Sequence, residues 1–190
     1  SQDVGLTPRS NGDTIRPMAT ETEIVTALRA ALVSRLPVLA IVQGYQPSAQ
    51  GAPNGPHLTL WNAGDTDYGW AARREVWNLE ELRFDHVEEQ VRETVFQVNA
   101  TVPNLRPGDR TPAEWLALTR AHLRSDPVLA ELRAAGLSIL RVRDVRSVPL
   151  QRDNDQYEVT QSFDVTVRHS DILTLTTPAA AGVDLIIERV

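Results

Sequence analysis

Apolar residues recur with a helical period in two stretches of the chain and with a strand period over most of the remainder. Ile24, Ala27, Leu28, Ala31 and Leu32 form one helical stripe. It follows Thr20-Glu21-Thr22-Glu23, a capping box in which the Thr hydroxyl accepts from the third helical N–H and the Glu reaches back. This helix is expected to run to about Arg35, with Pro37 closing it. A second capping box, Thr111-Pro112-Ala113-Glu114, starts a helix with Trp115, Leu116, Leu118 and Leu123 on one arc, and His122 falls within that arc. Asp126-Pro127 opens a short third helix, Val128 to Ala135, which Gly136 stops.

Elsewhere the pattern is that of strands. Val38 to Val42 is a short, branched apolar run, expected as a buried strand. Gly44 to Pro56 holds three Gly and three Pro and is expected as a loop. His57 to Trp61 alternates as a second strand, and residues 62–80 look turn-rich, with Trp70 and Trp77 inside them. Leu82 to Val102 predicts an unusually long strand that projects beyond its own domain. Its apolar parity switches between Val95 and Phe96, which calls for a bulge or for cover on both faces. In 137–150, Leu140, Val142, Val148 and Leu150 share one face, with Arg141 and Arg143 on the other. Asp153-Asn154-Asp155 is turn chemistry. Tyr157, Val159, Phe163, Val165 and Val167 then alternate through His169, and Val183 to Val190 reads as a final strand. The fold class is therefore α+β: an antiparallel (mixed) sheet with helices packed on one face. Residues 1–19 are expected as a flexible arm, 20–190 as a single domain, and 171–190 as its C-terminal extension.

Composition narrows the function classes. The chain of 190 residues is 42 % apolar and 23 % charged, enough for a real core. Its formal charge of −6 argues against a dedicated nucleic-acid binder, although an acidic wall suits a passage through which DNA slides without sticking. Cysteine is absent, which excludes disulfides, zinc ribbons and thiol catalysis. No run approaches the roughly 18 apolar residues of a membrane span, and the polar N-terminus does not read as a secretion signal.

Catalytic templates find no match. His57, His86, His122 and His169 lie at no metal-ligand spacing. Asp85-His86 with Glu88 and Glu89 holds the residue types for a divalent ion, but successive strand residues face opposite sides, which favours a solvated strand face. Asp65-Thr66-Asp67-Tyr68-Gly69 begins like a calcium loop that no ligand series completes, so it reads as a turn. The chain has no Lys and no Gly-x-Ser-x-Gly, and its Gly44–Gly55 loop matches no phosphate cradle. The expectation is a non-catalytic subunit with no metal or cofactor.

Ile41-Val42-Gln43-Gly44-Tyr45-Gln46-Pro47, followed by Asn54-Gly55-Pro56-His57-Leu58-Thr59-Leu60, resembles the neck or tail terminator proteins of tailed bacteriophages. The likeness continues through the long strand around Glu93–Asn99, the helical pair after Pro107, Ala135-Gly136-Leu137-Ser138-Ile139 and the late strand with Phe163, over roughly residues 20–170. It implies a mixed α/β fold and a homohexameric ring that caps the tail tube and joins tail to head. The implied partners are tube protein, a sheath protein and the head–tail connector, with genomic DNA passing through the lumen and no membrane. The implied location is the virion tail or neck, assembled in the host cytoplasm. Candidate subunit or partner contacts are Tyr45, Gln46, Asn54, Trp70, Arg141 and Arg143, and a candidate acidic lumen is formed by Glu88, Glu89 and Glu93. A neck connector or tail completion protein is the near alternative, and a small ligand-binding or hydrolytic α+β domain the distant one.

Overall fold

The computed structural model describes residues 20–44, 53–79, 83–103, 105–151 and 157–176. Three helices are present: α1 (Glu21–Val33), α2 (Pro112–Leu123) and α3 (Asp126–Ala134). The strands are β1 (Ala40–Gln43), β2 (His57–Asn78), β3 (Arg83–Thr101), β4 (Ser138–Val142), β5 (Arg146–Gln151) and β6 (Tyr157–Thr176). Both capping boxes close as the sequence dictates. Thr20 N donates to Glu23 at 2.7 Å and Thr111 N to Glu114 at 2.7 Å, while each Thr hydroxyl accepts from the Glu N–H at 3.3 Å. Gly136 takes φ 81, the left-handed stop past α3.

The strands form one mixed sheet in the order β1-β2-β3-β6-β4, with β5 also paired to β6. Only β1 and β2 run parallel; the other pairs are antiparallel. Residue parity decides which face the helices cover. Leu58, Leu60, Phe96, Val98, Phe163, Val165 and Val167 are buried in one cluster with Ile24, Leu28 and Leu32 of α1, Leu116 and Leu123 of α2, and Val128 and Leu132 of α3. Arg35, just past α1, joins α3 through Glu131 at 2.7 Å. At the start of the 44–56 connection, Gly44 lies against the Trp61 indole so closely that a Cβ would collide with it.

The main departure from expectation is at residues 62–80, which continue β2 rather than turning. The glycines that mimic turn signals sit at irregularities in the strand. Gly64 (φ 150) follows the extra residue Ala63, and Gly69 (φ 73) lies in the longer shift between Tyr68 and Ala72. A bulge admits such backbone without ending the ladder. The parity switch of the long strand is thereby resolved on its neighbour. β3 stays in unbroken register with β6 from Asp85 to Asn99, and the extra Ala63 of β2 faces the Val95–Phe96 step.

A second departure concerns Leu140. A register shift between Ile139 and Arg141 takes it off the face it was expected to share with Val142, so Leu140 is exposed while Val142 is buried. Helix α1 is also slightly shorter than the periodicity suggests, ending at Val33. The expected arm 1–19, the turn 153–155 and the strand 183–190 lie outside the described residues.

Candidate assembly interface

β3 is 19 residues long, roughly 60 Å at about 3.3 Å per residue. The helices cover only the half that carries Phe96 and Val98. Beyond it, β2, β3 and the end of β6 continue as a three-stranded arm. On the helix-side face the apolar positions give way at the arm root to an ionic network drawn from three strands. Thr94 Oγ1 donates to Asp65 Oδ1 at 2.5 Å, and His169 Nε2 lies 3.0 Å from the same hydroxyl. His169 Nδ1 is 3.1 Å from Asp171 Oδ1. Arg92 joins Asp171 through Nη1 at 2.8 Å and donates from Nε to Asp67 at 2.8 Å. That hydrogen bond to Asp67 is the largest cause holding the Arg92 pKa above its usual value.

The network has the members of an Asp–His–hydroxyl relay, but Thr94 is only 2 % exposed and gives its proton to Asp65. A relay nucleophile is presented to substrate, with its proton directed to the histidine. Sequence reading missed this site because its partners sit at i, i+2 on three strands: Asp65/Asp67, Arg92/Thr94 and His169/Asp171. Because residues 62–80 are turn-rich in sequence, the β2 part of the network carries no strand signal of its own.

Further out, Arg73 meets Glu88 at 2.9 Å, and His86 lies between Glu75 (2.6 Å) and Glu88 (3.2 Å). Trp77 and Phe84 stack edge to face at 4.8 Å. Trp77, Phe84, Leu173 and Leu175 all remain exposed on this face. At the irregularity, Trp70 is 99 % exposed. Among the described residues no group of three or more His, Asp or Glu is arranged to hold a metal ion.

The Glu75 hydrogen bond, followed by that to Glu88, raises the His86 pKa above its ordinary value. A raised folded-state pKa gives stabilisation that is full below the unfolded value of about 6.5 and lost as pH rises through the folded value. The difference in melting temperature between the native chain and His86→Asn is therefore expected to be greatest at acidic pH and to shrink toward alkaline pH. NMR titration of His86 should give a pKa above 6.5 that falls in Glu75→Gln; an unshifted titration would remove the arm ion pair from this account.

The candidate contacts do not form one patch. Tyr45 and Gln46 lie outside the described residues. Asn54 lines a concavity of about 390 Å³ with Arg110 and Trp115 at the helical end, Trp70 stands on the arm, and Arg141 and Arg143 sit at the β4–β5 edge in a concavity of about 410 Å³. The acidic trio also divides. Glu89 and Glu93 share one face, Glu88 points to the other, and Glu93 is bound by Arg168 at 3.0 Å.

Comparison with known proteins places this architecture. A family model described as E217 gateway protein gp29 matches residues 18–179, from just before α1 to just past β6. The chain belongs to that family. No curated protein matches it. Among solved structures it is similar in fold to a chain from "Cryo-EM Structure of an Extracellular Contractile Injection System, PVC sheath/tube terminator in extended state", with a TM-score of 0.53 and 11 % identity. The match covers 92 % of this chain and 64 % of that one, so the chain spans under two thirds of its length. Family and fold agree with the terminator resemblance carried by residues 20–170.

Proposed function

We propose that this gateway-family chain is a structural tail terminator that caps the tube, and the sheath where one is present, and joins the tail to the neck. The match over residues 18–179 carries this reading. The arm supplies its physical basis, because open strand edges, an apolar face and a fully exposed Trp are what a subunit needs to bind its neighbours. The active species in this reading is a homohexameric ring in the virion, assembled in the host cytoplasm, without catalysis or a cofactor. Tube protein, sheath protein and the head–tail connector are its partners. DNA crosses the lumen without specific binding, past a wall to which Glu89 and Glu93 contribute; their common face makes them better suited than Glu88.

Particles assembled without this protein test the reading directly. Overlong tails lacking heads are the expected outcome, whereas filled heads lacking tails would assign it to the connector instead. At the residue level, Trp70→Ala is expected to leave the melting temperature unchanged, since a 99 % exposed side chain contributes little to the monomer. Mass photometry with tube ends present should then show ring occupancy reduced by about tenfold or more, the effect of losing one interface anchor. Unchanged occupancy would take Trp70 out of the interface.

A further inference from the structure

We propose that the exposed apolar surface of the outer arm, centred on Trp77 and Phe84, seats in the concavity lined by Val38 and Trp115 on a second copy of this chain. The proposal rests on the ring reading above and names the two surfaces that meet.

Trp77 and Phe84 face each other across β2 and β3, with their rings 4.8 Å apart. Leu175 and Leu173 lie opposite His86 and Glu88, the next two β3 residues of the same parity, so all four apolar groups share the helix-side face. They stand outside the cluster that the helices cover, and each is about half exposed. Single exposed apolar residues are ordinary on a monomer, whereas a contiguous group on one strand face marks a contact surface.

The receiving surface lies at the other end of β3. Val38, Val102, Pro103 and Trp115 give the concavity of about 390 Å³ an apolar lining, and Arg106 and Arg110 stand beside them. Val38 is exposed, so the lining is open to a partner. Arg110 lies over the Trp115 ring at 5.2 Å, and among the described residues neither arginine side chain meets a carboxylate. The arm supplies the matching charge. Glu75 stands two residues behind Trp77 on the same face, and only its Oε1 is engaged, by His86 at 2.6 Å, which leaves Oε2 to accept from an arginine. The arm's own Arg73 is already paired with Glu88 at 2.9 Å. Apolar surface thus meets apolar surface, with a carboxylate placed toward unmatched cations at the rim.

The contact is intermolecular. Phe84 and Val102 are eighteen residues apart along and just past β3, which is roughly 60 Å at about 3.3 Å per residue. β3 keeps unbroken register with β6 from Asp85 to Asn99, so a chain cannot fold its own arm back to its own concavity. Joining two different surfaces of identical subunits gives a head-to-tail contact, the type that closes into a ring.

Thiol cross-linking tests this on the full chain, which has no cysteine of its own to react. The variants are Val38→Cys, Phe84→Cys and the two together, each treated with a short bismaleimide in the presence of tube ends and resolved by size after denaturation. The double variant is expected to give a ladder of covalent multimers, at a yield about tenfold or more above either single variant, because only the seated contact holds the two thiols together. An equal mixture of the two single variants should give dimers. Phe84→Cys chains that dimerise alone would overturn the proposal, since arms would then pack face to face. Cross-links that run only to tube protein would overturn it too, because the arm would then serve that partner. Native rings on tube ends without a ladder from the double variant would remove this contact and leave the ring reading standing. A native chain that forms no ring there removes the ring reading itself, and this proposal with it. Both substituted side chains are exposed, and melting curves of the variants check that the fold is kept.

Discussion

Phe96→Ala is expected to lose about 3–5 kcal/mol of unfolding free energy, the range for removing a fully buried Phe from a core that cannot collapse around the gap. Phe96 is 0 % exposed at the middle of β3, opposite Val165, under the helical layer. The central sheet strands flank it on both sides, and backbone ladders resist the shift needed to refill the space. Urea unfolding is the measurement: the midpoint should fall with little change of slope. Phe84→Ala supplies the contrast within the same strand. Phe84 is 54 % exposed on the arm, so it should cost about 1 kcal/mol or less. Equal losses at the two positions would mean that the helices do not close over β3 as described.

Arg92→Met is expected to cost about 3 kcal/mol, the lower end of the range for stripping one partner from a buried pair, because Arg92 itself is a third exposed. The change keeps most of the aliphatic stem and removes the guanidinium. Asp67 lies largely in solvent and can turn to water, whereas Asp171 is 7 % exposed and would be left with His169 alone. The penalty therefore comes from an under-compensated buried carboxylate more than from a lost surface contact. Asp171→Asn in the Arg92→Met background removes that charge while keeping an oxygen near His169, and should recover a large part of the loss. A single-variant loss below about 0.5 kcal/mol would place the Asp171 carboxylate in contact with water.

These two sites show how far the sequence carries. Phe96 was legible as a core residue because Phe96, Val98 and Ala100 keep strict alternation, and the register places all three on one face. The ionic network was not legible. Each member reads alone as a solvated polar residue, and only cross-strand pairing brings Arg92 beside His169 and Thr94 beside Asp65. Residues 62–80 misled because Gly, Asn and Asp favour both turns and bulges; a bulge is recognised only when a neighbouring strand continues the ladder, as β3 does. The same holds for Arg141 and Arg143. Alternation placed them on a polar face, but the concavity they line arises where β4 and β5 share β6.

By itself the sequence determined the three helices, the capping boxes of α1 and α2, the length of β3 and the apolar face beneath the helices. These depend on period, cap chemistry and local backbone preference, all of which act within a few residues. The resemblance over residues 20–170 was also carried by short stretches of text. Tertiary structure alone decided that β2 runs the full length of the arm, that an ionic network closes the arm root, and that Arg141 and Arg143 line a concavity at the β4–β5 edge. Those features depend on register between strands distant in sequence, where one extra residue such as Ala63 changes which side chains face each other.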